Sequence, residues 1–592
     1  MLFGKHITKY YLRYSWLLIL GIGALIAVDY FQLRIPEIYG AIIDGLDPSS
    51  AATLSKDALL KLLYDAFVVV AVLAAGRFLW RIAFFCTANN TETGFRAEMF
   101  DHAKDLSQQF YKQNKVGDIM SLFTNDLETI NECVGDGTLM LFDALFLGAM
   151  AIYKMIVLND NSWKLTLFAL IPMGFLAVIG VIVNKYMMKK WEERQEAFSK
   201  LSDFTQENFS GIAVIKAFVK EMKELMLFKR INKDNEDVNV AFTKASVLLN
   251  VMVSLFVGSV ITIIIGYGGW LAHEGTFSVA ELVMFISYFG TITWPVMAVA
   301  MLIEMSSRGK ASLKRISEFL DTPIDVKDRE GVKEIENVKG NIEFRNLTFK
   351  YPDGERNVLK NVSFKINAGE SVGIIGKTGA GKSTIVDLML RTYNIPDGTY
   401  FVDGEDVNDV SIRSLRSFFA YVPQDNFLFS DTIESNINFA FGDETADRNN
   451  IKEVARLADV DDDISAFKDG YDTVLGERGV TISGGQKQRT SIARALMKNA
   501  SVLILDDSLS AVDTKTEENI LDALKINRNG KTTIYIAHRI STVKNLDKVI
   551  LIDGGEIVDI GTHEELLGRC KEYQTTVKLQ ELEDESYEEG AV

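Results

Sequence analysis

Three stretches of this 592-residue chain, 165–184, 247–272 and 282–303, contain no Asp, Glu, Lys or Arg. Crossing about 30 Å of hydrocarbon takes roughly 20 mostly apolar residues, so each stretch is long enough to span a bilayer as a helix. Three further stretches, 15–41, 58–86 and 138–158, reach the same length with a few charged interruptions. The pattern predicts six membrane-spanning helices, all before about residue 305. Composition conceals this split: 48% hydrophobic and 24% charged residues is an ordinary soluble average. Beyond residue 310 the chain turns polar and acidic and reads as a soluble α/β protein.

The basic residues Lys5, Lys9 and Arg13 precede the first apolar run. No small-residue cleavage site follows it, so the run is expected to remain as an uncleaved first span rather than a signal peptide. Lys and Arg crowd the first residues, the stretch 96–115 and above all the stretch 185–244, whereas 159–162 and 273–276 have none. By the positive-inside rule both termini and the long stretches are cytosolic. Those stretches are poor in Pro and Gly, so the helices are expected to continue far past the bilayer, roughly 30 Å at about 1.5 Å per residue. Asp29, Arg77, Arg81, Asp143 and Lys154 lie inside predicted spans. Such charges either face a water-filled cavity or are spent on internal pairing and snorkelling. Phe285, Tyr288, Phe289 and Trp294 cluster on the last span; they either line a greasy binding surface or simply pack, the commoner outcome at that spacing.

In the polar half, the apolar strand 371–376 runs into Gly376-Lys377-Thr378-Gly379-Ala380-Gly381-Lys382-Ser383, followed by a helical pattern from Thr384. This is a phosphate-binding loop in its strand–loop–helix context. Glycines let backbone N–H groups approach phosphate, and the helix N-terminus adds partial positive charge. Lys382 is placed for the β- and γ-phosphates and the Ser383 hydroxyl for Mg²⁺. A second apolar strand, 501–505, ends in Asp506 and Asp507. Asp506 is the expected holder of Mg²⁺ through its water shell, and Asp507 the group that orients or deprotonates an attacking water. A third element, Ser483-Gly484-Gly485-Gln486, opens another helix as a second anion site. One phosphate group does not need two such sites, so this one is expected to serve a nucleotide held by another chain.

At these residues the sequence resembles an ATP-binding cassette exporter, over nearly its whole length. The phosphate loop resembles the Walker A motif, 502–506 the Walker B motif and Ser483 to Gln486 the family signature. The resemblance implies that Tyr351 stacks on adenine, that Gln424 contacts Mg²⁺ and couples to the membrane half, that 510–513 is the D-loop and that His538 contacts the γ-phosphate. Gly476-Glu477-Arg478-Gly479 resembles the X-loop, and Gly117-Asp118 and 211–218 resemble the regions of the coupling helices. The implied organisation is a six-helix all-α transmembrane domain (1–310), a linker (311–340), an α/β P-loop nucleotide-binding domain (341–580) and an acidic tail (581–592) read as a solvated, disordered end. ATP and Mg²⁺ are the implied cofactors, and two such halves would close on two ATP molecules to switch the helices from inward- to outward-facing.

One position departs from the family. Asp507 stands where glutamate is usual. Its carboxylate is one methylene shorter, on the order of 1 Å, a misplacement that can cost about a hundredfold in rate. With a signature intact apart from Ile482 in place of leucine, the chain resembles the degenerate-site subunit of bacterial heterodimeric multidrug exporters. It would sit in the cytoplasmic membrane, pair with a chain bearing glutamate at the matching position, and move amphiphilic drugs; a homodimer working slowly with aspartate is the alternative. A lipid flippase or peptide exporter shares the fold, and a gated channel or sensor is the alternative of another class. A net charge of −17 argues against a nucleic-acid surface. Cys86, Cys133 and Cys570 have no metal or disulfide spacing.

Overall fold

The computed structural model describes residues 4–46, 55–160, 162–441, 447–476, 479 and 482–589, without the side chains at 173, 175–185, 300 and 583–589. The chain divides into two compact units. One comprises Met1–Lys104 with Val116–Thr322, the other Asp105–Lys115 with Pro323–Val592.

Lipid offers backbone groups no hydrogen bonds, so a spanning segment must satisfy them within a helix. Five helical segments among the described residues are long and apolar enough to cross: Ser15–Leu46, Lys56–Ala103, Val116–Val157, Glu221–His273 and Val279–Leu320. They contain five of the six predicted spans. The sixth, 165–184, falls in the helix Ser162–Ser210, where the side chains of 175–184 lie outside the described residues. At 1.5 Å per residue, the 48-residue helix Lys56–Ala103 is about 70 Å long, more than twice a hydrocarbon core. The last helix runs unbroken past residue 310 to Leu320.

Close packing sets the helix pairs. A Cβ added to Gly76 would lie 2.5 Å from a Val28 methyl, so glycine is what lets the first two spans approach there. Phe285, Tyr288 and Phe289 are fully buried against Leu33, Leu147, Met155 and Leu165. They pack, and do not line an open surface. Among the charges, Lys154 is paired with Glu37 at 2.5 Å, Arg77 donates to Gln32 at 3.3 Å, and Arg81 lies over the neighbouring Trp80 ring.

The second unit is built on two sheets. An antiparallel one orders Leu359–Ile366, Ile342–Phe349, Tyr400–Val402 and Glu405–Asp406. The other has six strands, in the order Glu556–Gly561, Lys548–Asp553, Ser371–Gly376, Thr532–Ala537, Val502–Asp506 and Phe419–Val422. All its neighbours are parallel except the first pair. Its inner strands are buried on both faces, which is why they read as unbroken apolar runs such as Val502 to Leu505. The acidic tail departs from expectation: the helix Lys571–Glu589 carries through it. Tyr573 and Val577 anchor that helix in the core, and the Glu-rich continuation has good helix propensity. Residues 590–592 lie outside the described residues.

A polar clamp fastens the last long helix to the third. Asp126 is buried; it accepts from Ser312 Oγ at 2.6 Å and from Arg315 Nε at 3.0 Å. Asp126→Ala strands both donors and is expected to cost about 1–3 kcal/mol, read as a lower unfolding midpoint of the membrane unit, with Asp126→Asn losing less.

Candidate functional site

In a parallel sheet, loops leaving the carboxyl ends of neighbouring strands crowd together. Here Gly376 ends one strand, Ala537 the next and Asp506 the one after; Ile375 lies opposite Ala537, and Asp506 opposite Ile536. The adjacent strand ends at Val422, opposite Leu505. The phosphate loop, His538, Asp506 with Asp507, and Gln424 therefore emerge side by side, although they lie far apart in sequence.

The phosphate loop is held tightly at its root. A Cβ on Gly376 would lie 2.1 Å from the Ile552 carbonyl oxygen, which only glycine tolerates. Gly381 adopts φ +103° to cap the helix Lys382–Met389. Lys377, Thr378 and Gly379 form the exposed crown, and Ala380 is buried beneath it. Lys382 curls back under the loop, its Nζ donating to the carbonyls of Gly376 at 2.7 Å and Lys377 at 3.1 Å. Burial pushes its ammonium below the ordinary value, with Asp506 and Asp507 pulling the other way. Thr384 is buried and shares a 2.9 Å hydrogen bond with the Tyr351 hydroxyl. That bond places Tyr351, packed edge-on against Phe349 and Tyr393, beside the loop.

Asp506 is 3% exposed. Burial pushes its carboxyl up to about 6; the Ser383 hydroxyl bonded to it pulls down, and neighbouring Asp507 pushes up. A serine hydroxyl, a carboxylate and the Gln424 amide oxygen are hard oxygen donors, the set that suits Mg²⁺, which keeps most of its waters and takes one or two protein ligands plus phosphate. The residues present fit that ion. Asp507 sits at φ +47°, an unusual conformation for a residue with a side chain. Its backbone is pinned on several sides: its N–H donates to the Ile536 carbonyl at 2.9 Å, and its carbonyl accepts from Ser510 Oγ at 2.9 Å and Gln488 Nε2 at 3.2 Å. Its side chain accepts from Gln424 Nε2 at 3.4 Å. Burial and the Lys382 charge hold the His538 imidazole below its ordinary value, against Asp507, so it is neutral at pH 7.

The signature residues stand apart. Ser483 caps the helix Gly484–Met497 in a reciprocal box with Gln486, at 3.2 and 3.1 Å, with Gly485 in the first turn. Among the described residues no hydrogen bond joins Ser483, Gly484, Gly485 or Gln486 to the phosphate loop. Glu477 and Arg478 of the predicted X-loop lie outside the described residues. Of the two coupling regions, Gly117 and Asp118 fall in the helix Val116–Ser121 of the membrane unit. The short helix that joins the nucleotide unit is the preceding one, Gln108–Gln113.

Three residues of the site were not legible in the sequence. Lys112 on that short helix pairs with Asp387 at 3.5 Å and lies over the Tyr351 and Tyr393 rings. Gln488 bridges Asp507 to the Ala511 N–H, which donates to its Oε1 at 3.1 Å. Gln580 clips the turn after His538, donating to the His538 carbonyl and accepting from Ile540 N at 2.7 Å. Each is an ordinary Lys or Gln in a helical pattern, with no local signal to single it out.

Two family models match the chain: the ABC transporter transmembrane region over residues 18–296 and the ABC transporter family over 359–510. A probable multidrug resistance ABC transporter ATP-binding/permease protein of Bacillus subtilis, YheI, is 36% identical over 98% of this chain and 97% of its own. The multidrug resistance-like ATP-binding protein MdlA of Escherichia coli is 33% identical over 97% and 96%. The structure of a bacterial Atm1-family ABC exporter with ATP bound has a TM-score of 0.74 at 26% identity, covering 97% of this chain and 98% of that one. With a transmembrane region and an ABC ATPase domain on one polypeptide, the chain belongs to the ABC transporters, as an ATP-hydrolysing exporter half-transporter.

Proposed function

We propose that this chain is the slow-site subunit of a heterodimeric multidrug exporter of the bacterial cytoplasmic membrane. It would have six spans, with the termini and the nucleotide unit in the cytosol, and would move amphiphilic or hydrophobic compounds outward by alternating access. The observation that carries the reading is Asp507. Its backbone is fixed by Ile536, Ser510 and Gln488, so its short carboxylate cannot advance to regain the reach of a glutamate. The names of YheI and MdlA, which refer to multidrug resistance, support the substrate class.

In this reading Tyr351 holds the adenine, and Lys377, Thr378, Gly379 and Ala380 wrap the phosphates with backbone N–H groups. Lys382 turns its ammonium to the β- and γ-phosphates. Ser383, Gln424 and, through water, Asp506 would hold Mg²⁺, which neutralises charge developing on the transferred phosphoryl group. Asp507 orients the attacking water, and neutral His538 donates to the γ-phosphate. The free helix start at Ser483, Gly484, Gly485 and Gln486 completes the partner's site. The short helix Ile212–Ala217 buries no residue, and its Val214 and the following Phe218 are largely exposed; this supports a second chain docking there.

Lys382→Ala should remove the thermal shift that Mg²⁺ with ATP gives this chain's own site and lower ATP-driven efflux of a lipophilic dye without changing assembly; undiminished efflux would count against transport coupled to this site. Asp507→Glu should raise ATP turnover at this chain's own site about tenfold or more, read in a complex whose partner site has lost its phosphate-loop lysine, and a second chain of similar size should copurify with the tagged protein. A complex made of this chain alone, with turnover lowered by Asp507→Glu, would make Asp507 a working base in both sites. The folded-state pKa of Asp506 is raised, so its ionised form costs stability above about pH 6 and that cost is relieved as pH falls. Between pH 7 and 5 the ligand-free nucleotide unit should gain stability from this group, while the thermal shift given by Mg²⁺ with ATP shrinks.

A further inference from the structure

His538 leaves the strand Thr532–Ala537 and enters a tight turn, made of Arg539 and the one-turn helix Ile540–Val543. Gln580 holds the backbone of that turn from one side, through the His538 carbonyl and the Ile540 N–H. From the other side comes a carboxylate that the phosphate chemistry does not use. Glu517 lies near the start of the helix Thr514–Asn527, which Asp513 caps, and is 2% exposed. Its Oε1 accepts from the Thr542 hydroxyl at 2.5 Å, and its Oε2 lies 3.6 Å from Arg539 Nη1. One side chain thus grips the residue directly after His538 and the fourth after it.

Burying a carboxylate is costly unless it is paired and hydrogen-bonded. An apolar side chain of similar volume often fills such a place with no loss of stability, so what this charge adds is direction. The Thr542 bond is the tight one; the Arg539 side chain is half in solvent, where an ion pair is worth little. Glu517 Oε2 accepts no hydrogen bond among the described residues, and the Ser508 hydroxyl, also 2% exposed, makes none either. Both residues line a cavity of about 20 Å³ whose wall includes Asp507 and His538. That volume has room for one water, and the two buried polar groups are partners for it.

We infer that Glu517 is a positioning residue for His538: it fixes the direction in which the imidazole faces the γ-phosphate, through Thr542 and Arg539 and through a water shared with Ser508. The inference rests on the reading that His538 meets the γ-phosphate, and deepens it by naming what holds the imidazole there. ATP differs from ADP by that phosphate alone. A misdirected His538 therefore weakens ATP and spares ADP, whereas a residue that only stabilised the fold would weaken both. The full-length tagged protein, purified with whatever subunit accompanies it, is photolabelled on ice with 8-azido-ADP and Mg²⁺. The label on this chain is then competed with ATP or with ADP.

Glu517→Ala should raise the ATP concentration needed about tenfold and change that of ADP less than about twofold. Thr542→Val, close in shape, should show the same selective loss, and Glu517→Gln, which keeps an oxygen for Thr542, should restore most of it. Adding His538→Ala to Glu517→Ala should cost nothing more, because both remove one contact. Parallel loss of ATP and ADP in Glu517→Ala and Thr542→Val would make these residues structural and overturn the inference. Unchanged ATP competition in both, with a loss in His538→Ala, would overturn it and leave the His538 reading standing. Unchanged ATP competition in His538→Ala would remove that reading and the inference together. Selective loss of ATP in a protein that shows no ATP-driven efflux would leave the inference standing and sink the exporter reading.

Discussion

The register of four parallel strands is what the nucleotide unit depends on. Ser371–Gly376, Thr532–Ala537, Val502–Asp506 and Phe419–Val422 finish level with one another, so the loops that follow them meet. Slipping one strand by a residue would turn its side chains to the opposite face and remove Asp506 or His538 from the group. The apolar burial that fixes this register is therefore also what sets the catalytic geometry. The long-range polar contacts refine it: Gln488 and Ser510 hold the Asp507 carbonyl, and Gln580 holds the turn at His538.

The membrane unit follows a different rule. Its helices are dictated by the absence of water, and its packing by small residues and interlocked aromatics such as Gly76 against Val28. Charge enters this setting only with a partner, as in Lys154 with Glu37. Asp29 and Asp143 follow the same rule by facing each other, with the Trp294 indole N–H donating to Asp143 at 2.6 Å.

The class of both halves is legible from consecutive residues alone. Charge-free runs long enough to span a bilayer admit little besides membrane helices, and the spacing from Gly376 to Ser383 after an apolar strand admits little besides a phosphate loop. These are local signals, carried by consecutive residues, and the acidic pair Asp506-Asp507 at a strand end is another. The sequence was silent or misleading where the deciding contact was remote. Glutamates after residue 580 looked like a disordered end, but Tyr573 and Val577, buried far from their own turn, start the helix that runs through them. Phe285, Tyr288 and Phe289 had the spacing of a binding stripe, and burial against four other helical segments made them core. Lys112, Gln488 and Gln580 carried no signal, since their partners lie in distant segments. That Lys154 faces Glu37 and Asp29 faces Asp143 emerges only once the helices are packed, because a charge inside a membrane is defined by what faces it across the bundle, and no span of consecutive residues records that.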